Sequence, residues 1–166
     1  MASSHPTLHM LCGRIAAGKS TLAAELVQGQ KTVLIPEDDW LGTLFGDEMH
    51  TVADYVRCAE KLRRIMARHV VALLNEGVSV VLDFPANTVE SRGWMRDVLE
   101  RTGAAHVLHV LDVPETECLA RLQTRNARGE HRFAVTEAQF RQISAHFTLP
   151  IPEEGFAIRR HGSPDR

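Results

Sequence analysis

The sequence predicts an α/β fold, a parallel five-stranded sheet with helices on both faces, and three observations support that prediction. Short apolar runs, such as residues 8–12 and 78–82, alternate along the chain with longer segments of helical periodicity. The short runs are almost continuously apolar, as expected of strands that are covered on both faces. A glycine-rich segment at residues 13–20 separates the first strand from the first helix, which suits a strand–helix–strand crossover.

The individual elements follow from the same patterns. The expected strands lie at residues 8–12, 32–35, 78–82, 107–113 and 156–158. The expected helices lie at residues 21–27, 51–75, 87–101, 114–125 and 136–147. Residues 37–50, rich in acids and containing glycines, are predicted to form a loop. The long second helix is predicted to bury an apolar stripe formed by Val52, Val56, Leu62, Ile65, Met66, Val70 and Leu73.

Composition narrows the class of protein. The 166 residues are 44% hydrophobic and 24% charged with a formal net charge of -2. We therefore expect one domain over residues 1–166, with flexible ends at 1–6 and 161–166, as a monomer or a homodimer. The charge offers no large basic surface for duplex nucleic acid, and no apolar run approaches the ~20 residues that span a bilayer. Three widely spaced cysteines predict a reducing, cytoplasmic environment.

Residues 13–20 read Gly-Arg-Ile-Ala-Ala-Gly-Lys-Ser and match the phosphate-binding pattern G-x-x-x-x-G-K-[ST] at every fixed position. In that pattern, backbone N–H groups and the helix N-terminus cradle the phosphates of a nucleoside triphosphate. We expect Lys19 to reach the β- and γ-phosphates and the Ser20 hydroxyl to bind Mg²⁺. The alternative is a glycine-rich turn before an ordinary helix. The predicted nucleotide-binding residues are Gly13, Arg14, Ile15, Ala16, Ala17, Gly18, Lys19, Ser20 and Thr21.

Acidic side chains follow two of the predicted strands. Asp38 and Asp39 come after the second strand, where either carboxylate could accept the proton of an attacking hydroxyl group. Asp83 ends the third strand, a position suited to orienting Mg²⁺ through water. The alternatives are a solvated acidic turn for the pair and a helix or turn cap for Asp83.

Arginines are concentrated before the last predicted helix. Arg121, Arg125 and Arg128 are four and three residues apart, so they can share one helix face. Within a lid at about residues 121–135 they could close over a nucleotide and neutralise the charge that develops during phosphoryl transfer. The alternative is a solvated basic helix face.

These motifs resemble those of small P-loop kinases, and most of all an AAA_33-type branch of predicted ATP-binding kinases related to the polynucleotide kinase domain. Chloramphenicol phosphotransferase and the zeta-toxin kinases are similar at a greater distance. The resemblance extends from Leu8 to about Phe156 and is strongest at residues 13–21. Its weaker motifs lie at residues 38–40, 82–84 and 111–114.

The resemblance implies the sheet order 2-3-1-4-5, ATP and Mg²⁺ as cofactors, and transfer of the γ-phosphoryl group to a hydroxyl group. By the same resemblance Asp38 is the general base, and Asp83 helps to position the acceptor or the metal ion. Arg125 and Arg128 are implied to be lid arginines that meet the phosphates.

One departure from the polynucleotide kinases bears on the acceptor. The arginine that binds the acceptor's phosphate three residues past the base is replaced by Leu41, and residues 40–50 contain no Arg or Lys. Nucleic acid phosphates require cations. We therefore expect a small hydroxyl-bearing acceptor, neutral or cationic, and disfavour nucleic acid. The alternatives are a nucleic acid 5′-hydroxyl kinase and an ATPase or nucleotide switch without an acceptor.

Overall fold

The computed structural model describes residues 5–29, 31–129 and 134–162. Five strands form the sheet: β1 Thr7–Cys12, β2 Thr32–Pro36, β3 Ser79–Pro85, β4 Ala105–Leu111 and β5 Ile158–His161. Six α-helices accompany them: α1 Lys19–Leu26, α2 Glu37–Phe45, α3 Val52–Asn75, α4 Val89–Thr102, α5 Glu115–Arg128 and α6 Glu137–Ser144. Two short 3₁₀ helices lie at Gly46–Glu48 and Pro152–Glu154.

The strands pair in the order β2-β3-β1-β4-β5, and every pair is parallel. The predicted fold class and sheet order are therefore confirmed. The pairing of β1 with β3 shifts its register, since Met10 faces Leu82 whereas Leu11 faces Pro85. Such irregularities redirect side chains and are common beside active sites. Here the shift skips Asp83 and Phe84, near the carboxyl end of β3.

The core lies on both faces of the sheet. On one face, Leu8 and Met10 of β1 belong to the same buried cluster as Leu62 and Met66 of α3. On the other face, Leu11 packs with Val81 and with Ala23 of α1. Burial on both faces explains why the strands are almost continuously apolar. A third cluster lies beneath the glycine-rich segment and joins Ala17, Leu111, Val113, Cys118, Leu122 and Phe140.

The prediction of a loop at residues 37–50 is wrong. The chain forms an α-helix over Glu37–Phe45, which is followed directly by a 3₁₀ helix over Gly46–Glu48. Three acids, Glu37, Asp38 and Asp39, occupy the first turn of α2. Carboxylates there interact favourably with the positive end of the helix dipole. Leu41 is 1% exposed and anchors the helix in the core, so packing outweighs the low helix propensity of Gly42.

The apolar stripe predicted for α3 is partly wrong. Val56 and Ile65 are 50% and 64% exposed. The buried face instead repeats every fourth residue and comprises Cys58, Leu62, Met66, Val70 and Leu74. At about 100° per residue, Val56 lies about 160° around the helix from Cys58, and Ile65 lies about 60° from Leu62 and about 100° from Met66. The small side chains of Cys58 and Ala59, which the predicted stripe did not include, are part of the buried core.

Strand β5 begins at Ile158, the last residue of the predicted strand, and includes His161, so the expectation of a flexible tail from 161 is wrong at its first residue.

Buried Arg92 of α4 fixes the segment that precedes β5. Its guanidinium donates to both carboxylate oxygens of Glu154, at 2.6 and 3.0 Å, and to the backbone oxygens of Ala86 and Thr148. Residues 1–4 and 163–166 of the expected flexible ends lie outside the described residues.

Within residues 5–29, 31–129 and 134–162, no helix has the length and apolar content needed to cross a membrane.

Candidate active site

A cavity of about 740 Å³ lies at the carboxyl ends of β1, β2 and β3, where open parallel sheets bind their ligands. Residues 15, 16 and 18–21 form one wall, and the first turns of α2 and α3 form another. Arg121 and Arg125 of α5 line the cavity as well. The lining is completed by Ala134, Val135, Gln139 and Ile143. The predicted phosphate-binding, acidic and arginine-rich segments therefore border one space.

The phosphate-binding segment has the backbone of a tight anion-binding loop. Ala16 and Gly18 have positive φ angles of 63° and 101°. A Cβ atom at Gly13 would lie 3.1 Å from the carbonyl oxygen of Leu111, tighter than most such contacts, so glycine suits this close approach of the backbone. Lys19 Nζ donates to the carbonyl oxygens of Gly13 and Arg14, at 2.6 and 2.8 Å. The lysine is thus held at the mouth of its own loop, where its charge favours an anion.

Ser20 and Asp83, the two residues predicted to serve a metal ion, are in contact. Ser20 Oγ donates to Asp83 Oδ2 at 2.8 Å. Burial raises the pKa of Asp83, which the Ser20 hydrogen bond and the Lys19 charge oppose. Burial lowers the pKa of Lys19, and the Asp83 and Asp38 carboxylates oppose that shift. The Ser20 hydroxyl and the charges of Lys19 and Asp38 therefore all act on the Asp83 carboxyl group.

The side-chain oxygens of Ser20 and Asp83 are suitable ligands for Mg²⁺. Hard cations prefer oxygen ligands, and Mg²⁺ in nucleotide sites takes only one or two from protein and the rest from phosphates and water. The Ser20 hydroxyl and the Asp83 carboxylate supply such oxygens. In the described part of the chain no group of three or more His, Cys, Asp or Glu residues could hold a metal ion without a nucleotide.

The structure separates the two aspartates of the predicted base. Both lie in the first turn of α2 and are exposed. Asp38 lines the cavity, and Asp39 is not among its lining residues. Asp38 is near enough to Lys19 of the phosphate loop and to Arg125 of α5 for its charge to raise the pKa of both. Of the two carboxylates, Asp38 is the one whose position suits proton transfer in the cavity.

The arginines also differ in position. Arg125 lines the cavity, and its Nε is buried without a hydrogen-bond partner among the described residues. Burial lowers the pKa of Arg125, against the charge of Asp38. Arg128, the last residue of α5, is exposed and is not among the lining residues. Residues 130–133 of the expected lid lie outside the described residues.

Two polar contacts in the cavity wall escaped sequence analysis. Asn87 Oδ1 accepts from the Gly13 N–H at 2.8 Å, and its Nδ2 donates to the Gly13 carbonyl at 2.8 Å. Tyr55 of α3 donates to the Glu37 carboxylate at 2.8 Å. Glu37 is buried immediately before the two aspartates that the sequence singled out. The sequence marks Glu37 only as one of three consecutive acids. Asn87 was predicted to begin a helix and was given no role in the site.

The glycine-rich loop, the sheet order and the shared cavity define a P-loop nucleotide-binding protein with the fold of the small kinases. The model of the AAA domain family AAA_33 matches residues 8–150. The chain belongs to this family.

Solved structures show the same fold. A candidate kinase from Chloroflexus aurantiacus matches with a TM-score of 0.76 at 17% identity, over 96% of this chain and 86% of that chain. Chaetomium thermophilum Kti12, in complex with ADP-AlF3, gives 0.74 at 11% identity over 97% and 91% of the two chains. Mycobacterium tuberculosis APS kinase CysC, with AMPPNP and APS, gives 0.64 at 22% identity over 98% and 90%.

A component of the Pnkp1/Rnl/Hen1 RNA repair complex is also similar, with a TM-score of 0.64 at 23% identity over 86% of this chain and 44% of that one. No curated protein matches the sequence.

Proposed function

We propose that the protein is an ATP-dependent kinase that transfers the γ-phosphoryl group of ATP to a hydroxyl group of a small molecule. One observation carries the proposal: a single cavity is lined by Lys19 of the phosphate loop, Asp38 of α2 and Arg125 of α5. A phosphate-binding lysine, a carboxylate base and an arginine are the parts that phosphoryl transfer uses.

The donor side of the cavity would hold the triphosphate. The backbone N–H groups of the loop and the N-terminus of α1 would bind the phosphates, and Lys19 would exchange its contacts with Gly13 and Arg14 for phosphate oxygens. Arg125, whose Nε is without a partner among the described residues, would neutralise charge on the γ-phosphate oxygens. Ser20 and Asp83 would hold Mg²⁺, which neutralises phosphate charge when bound.

The reacting side belongs to Asp38. An acceptor hydroxyl beside Asp38 would attack the γ-phosphorus, and its proton would pass to the Asp38 carboxylate. One oxygen–phosphorus bond forms, the bond from the γ-phosphorus to its bridging oxygen breaks, and ADP leaves with that oxygen. Helix α2 fixes the carboxylate at the cavity wall, which favours direct transfer of the proton.

The acceptor side supports a small molecule over a nucleic acid. Leu41 is 1% exposed and lines the cavity, at the position where polynucleotide kinases have an arginine. The cationic lining residues, Lys19, Arg121 and Arg125, belong to the loop and to α5. The backbone of a nucleic acid would therefore find no cation on the α2 and α3 side among the described lining residues.

A metabolite screen tests the proposal. The protein is incubated with ATP, Mg²⁺ and a library of alcohols, and the release of ADP is measured. Reactions that release ADP are then analysed by mass spectrometry for a product that has gained one phosphate. Lys19→Ala serves as the inactive control. A phosphorylated small molecule formed by the wild type alone supports the proposal. Transfer of label to a 5′-hydroxyl oligonucleotide, or ADP release without any phosphorylated product, overturns it.

A further inference from the structure

Glu37 is a buried carboxyl group for which the proposed transfer has no use. It is 1% exposed, begins α2 next to Asp38, and lines the cavity. A buried glutamate is costly to the fold unless it is paired. Its position in the wall of a ligand cavity suggests that the missing partner comes with the ligand.

The two oxygens of this carboxyl group are unequal. Oε2 accepts a hydrogen bond from the Tyr55 hydroxyl at 2.8 Å. Oε1 is buried and has no hydrogen-bond partner among the described residues. Arg63 of α3 acts on Glu37 through its charge, but no ion pair joins the two in the described part of the chain. The torsion that turns a glutamate carboxyl group is broad, so Oε1 can turn toward a bound molecule while α2 stays in place.

The groups around Glu37 set its charge. Burial raises its pKa to about 7, the Arg63 charge and the Tyr55 hydrogen bond oppose this rise, and Asp38 and Asp83 add to it. A cation bound against the carboxyl group would oppose the rise further and hold Glu37 ionised. Binding of a cation at this point is therefore coupled to loss of a proton when the pH is below about 7.

The rest of this side of the cavity defines the other properties of a ligand. Leu41, Met49 and Val52 supply apolar surface. His50, Thr51 and Tyr55 supply polar groups, and the ionisable acids are Glu37, Asp38 and Asp83. An anionic acceptor would face these acids, and a neutral alcohol would leave Oε1 unpaired. A molecule with an apolar body and an ammonium group fits both features.

Resting on the proposed kinase function, we propose that the acceptor is an amino alcohol, with an apolar body and an ammonium group that binds Glu37 while its hydroxyl lies at Asp38. Glu37 is then the residue that determines acceptor specificity. A hydrogen bond between charged groups contributes about 1.5–3 kcal/mol, enough for a preference of roughly 10- to 100-fold over the matched neutral alcohol.

Three probes with one phenyl ring and one hydroxyl group test this inference: 2-amino-1-phenylethanol, 1-phenylethanol and mandelate. Their dissociation constants are measured by calorimetry on the full chain saturated with AMPPNP and Mg²⁺. We expect the amino alcohol to bind the wild type at least about 10-fold more tightly than 1-phenylethanol at pH 8, with mandelate weakest. The preference should shrink at pH 6, where Glu37 holds its proton.

Glu37→Gln is the matched variant, because it keeps the shape of the side chain and removes its charge. We expect it to lose the preference and its pH dependence while AMPPNP binding stays unchanged. Equal binding of the amino alcohol and 1-phenylethanol, tighter binding of mandelate, no binding of the amino alcohol, or an undiminished preference in Glu37→Gln each overturns the inference. The wild-type comparison decides the matter even if the variant does not fold.

These measurements involve no turnover, so they are separate from the test of kinase activity. If mandelate bound best while the metabolite screen found a phosphorylated product, the ammonium inference alone would fail. If the wild type failed to bind AMPPNP, the proposed kinase function would fail first.

Discussion

The side-chain amide of Asn87 makes two hydrogen bonds to the backbone of Gly13. It accepts from the Gly13 N–H and donates to the Gly13 carbonyl, each at 2.8 Å. The Gly13 carbonyl also accepts from Lys19 at 2.6 Å. The first residue of the phosphate loop is thus fixed by a residue that follows β3. Elsewhere in the loop, Ala16 has a positive φ angle of 63°, which costs free energy in a residue other than glycine, so contacts that fix the loop stabilise it.

We therefore predict that Asn87→Ala weakens nucleotide binding. Two hydrogen bonds worth about 1 kcal/mol each correspond to a rise of up to about 30-fold in the dissociation constant of ATP. Titration calorimetry with AMPPNP measures the change. Gln123→Ala, at an exposed position of α5, should leave the affinity unchanged. A folded Asn87→Ala protein with wild-type affinity would contradict the role assigned to this contact.

Asp38→Asn and Asp39→Asn form a matched pair, since the residues are adjacent and both exposed, but only Asp38 lines the cavity. With an acceptor from the screen, Asp38→Asn should lower kcat by about 10²- to 10⁴-fold, the usual contribution of a general base. ATP should still bind. Asp39→Asn should stay within a few-fold of the wild type, and the reverse ranking would transfer the role of the base to Asp39.

Arg125→Ala should impair turnover more than Arg128→Ala. Arg125 lines the cavity, and an arginine that neutralises transition-state charge can contribute 10³-fold or more. Arg128 lies exposed at the end of α5. Single-turnover rates with saturating ATP separate the chemical step from binding. Equal losses in the two variants would show that both arginines reach the phosphates during closure, as the resemblance implies.

Glu37→Gln should stabilise the fold at alkaline pH. The pKa of Glu37 is raised from 4.5 to about 7, so its effect on stability is absent below pH 4.5, becomes increasingly unfavourable as the pH rises from 4.5, and is complete above about pH 7. The cost at pH 8 is at most about 3 kcal/mol. Urea unfolding at pH 8 should show the variant to be more stable, with little difference at pH 4.5. A variant less stable at pH 8 would mean that Arg63 and Tyr55 compensate the charge.

We predict that protonation of a cluster of three histidines, His9, His109 and His161, lowers the stability of the fold in acid. His109 is 1% exposed and shares hydrogen bonds with His9 at 3.0 Å and His161 at 2.9 Å. Burial, followed by His9, His161 and Arg159, lowers the pKa of His109 to about 4. The neutral ring therefore contributes fully above pH 6.5, and the contribution is lost as the pH falls toward 4.

Unfolding free energies of the wild type at pH 7.5, 6 and 5 measure this slope, which is at most about 3 kcal/mol in total. His109→Leu should flatten it, although the variant leaves two rings short of a partner. His146→Gln, at an exposed position, should keep the wild-type slope. An equally steep slope in His109→Leu would assign the acid sensitivity to other groups.

The sequence revealed the parts of the fold and site that depend on local patterns. The phosphate loop is contiguous, and the sheet order followed from a family resemblance that rests on it. Asp38 and Asp83 were found because each follows an apolar strand. Helix α2 was missed because two glycines and clustered acids favour a loop, whereas burial of Leu41 stabilises a helix.

The contacts that the sequence could not reveal join distant positions. Asn87 and Gly13 are 74 residues apart, and Arg92 and Glu154 are 62 apart. Neither partner in such a pair has a local signature. Glu37 was overlooked for another reason: its burial depends on the packing of α2 against α3, which no pattern within the acidic triplet reveals.

The Arg92–Glu154 pair has a consequence for biogenesis. Arg92 also binds the backbone of Ala86 and Thr148, and the Thr148 N–H donates to the Asn87 carbonyl. The residue that supports the phosphate loop is thus tied to a segment near residue 150. During synthesis the loop would emerge early, yet its support would be complete only after residue 154 has left the ribosome. Nascent chains shorter than this should bind ATP poorly, so nucleotide would stabilise finished molecules in preference to incomplete ones.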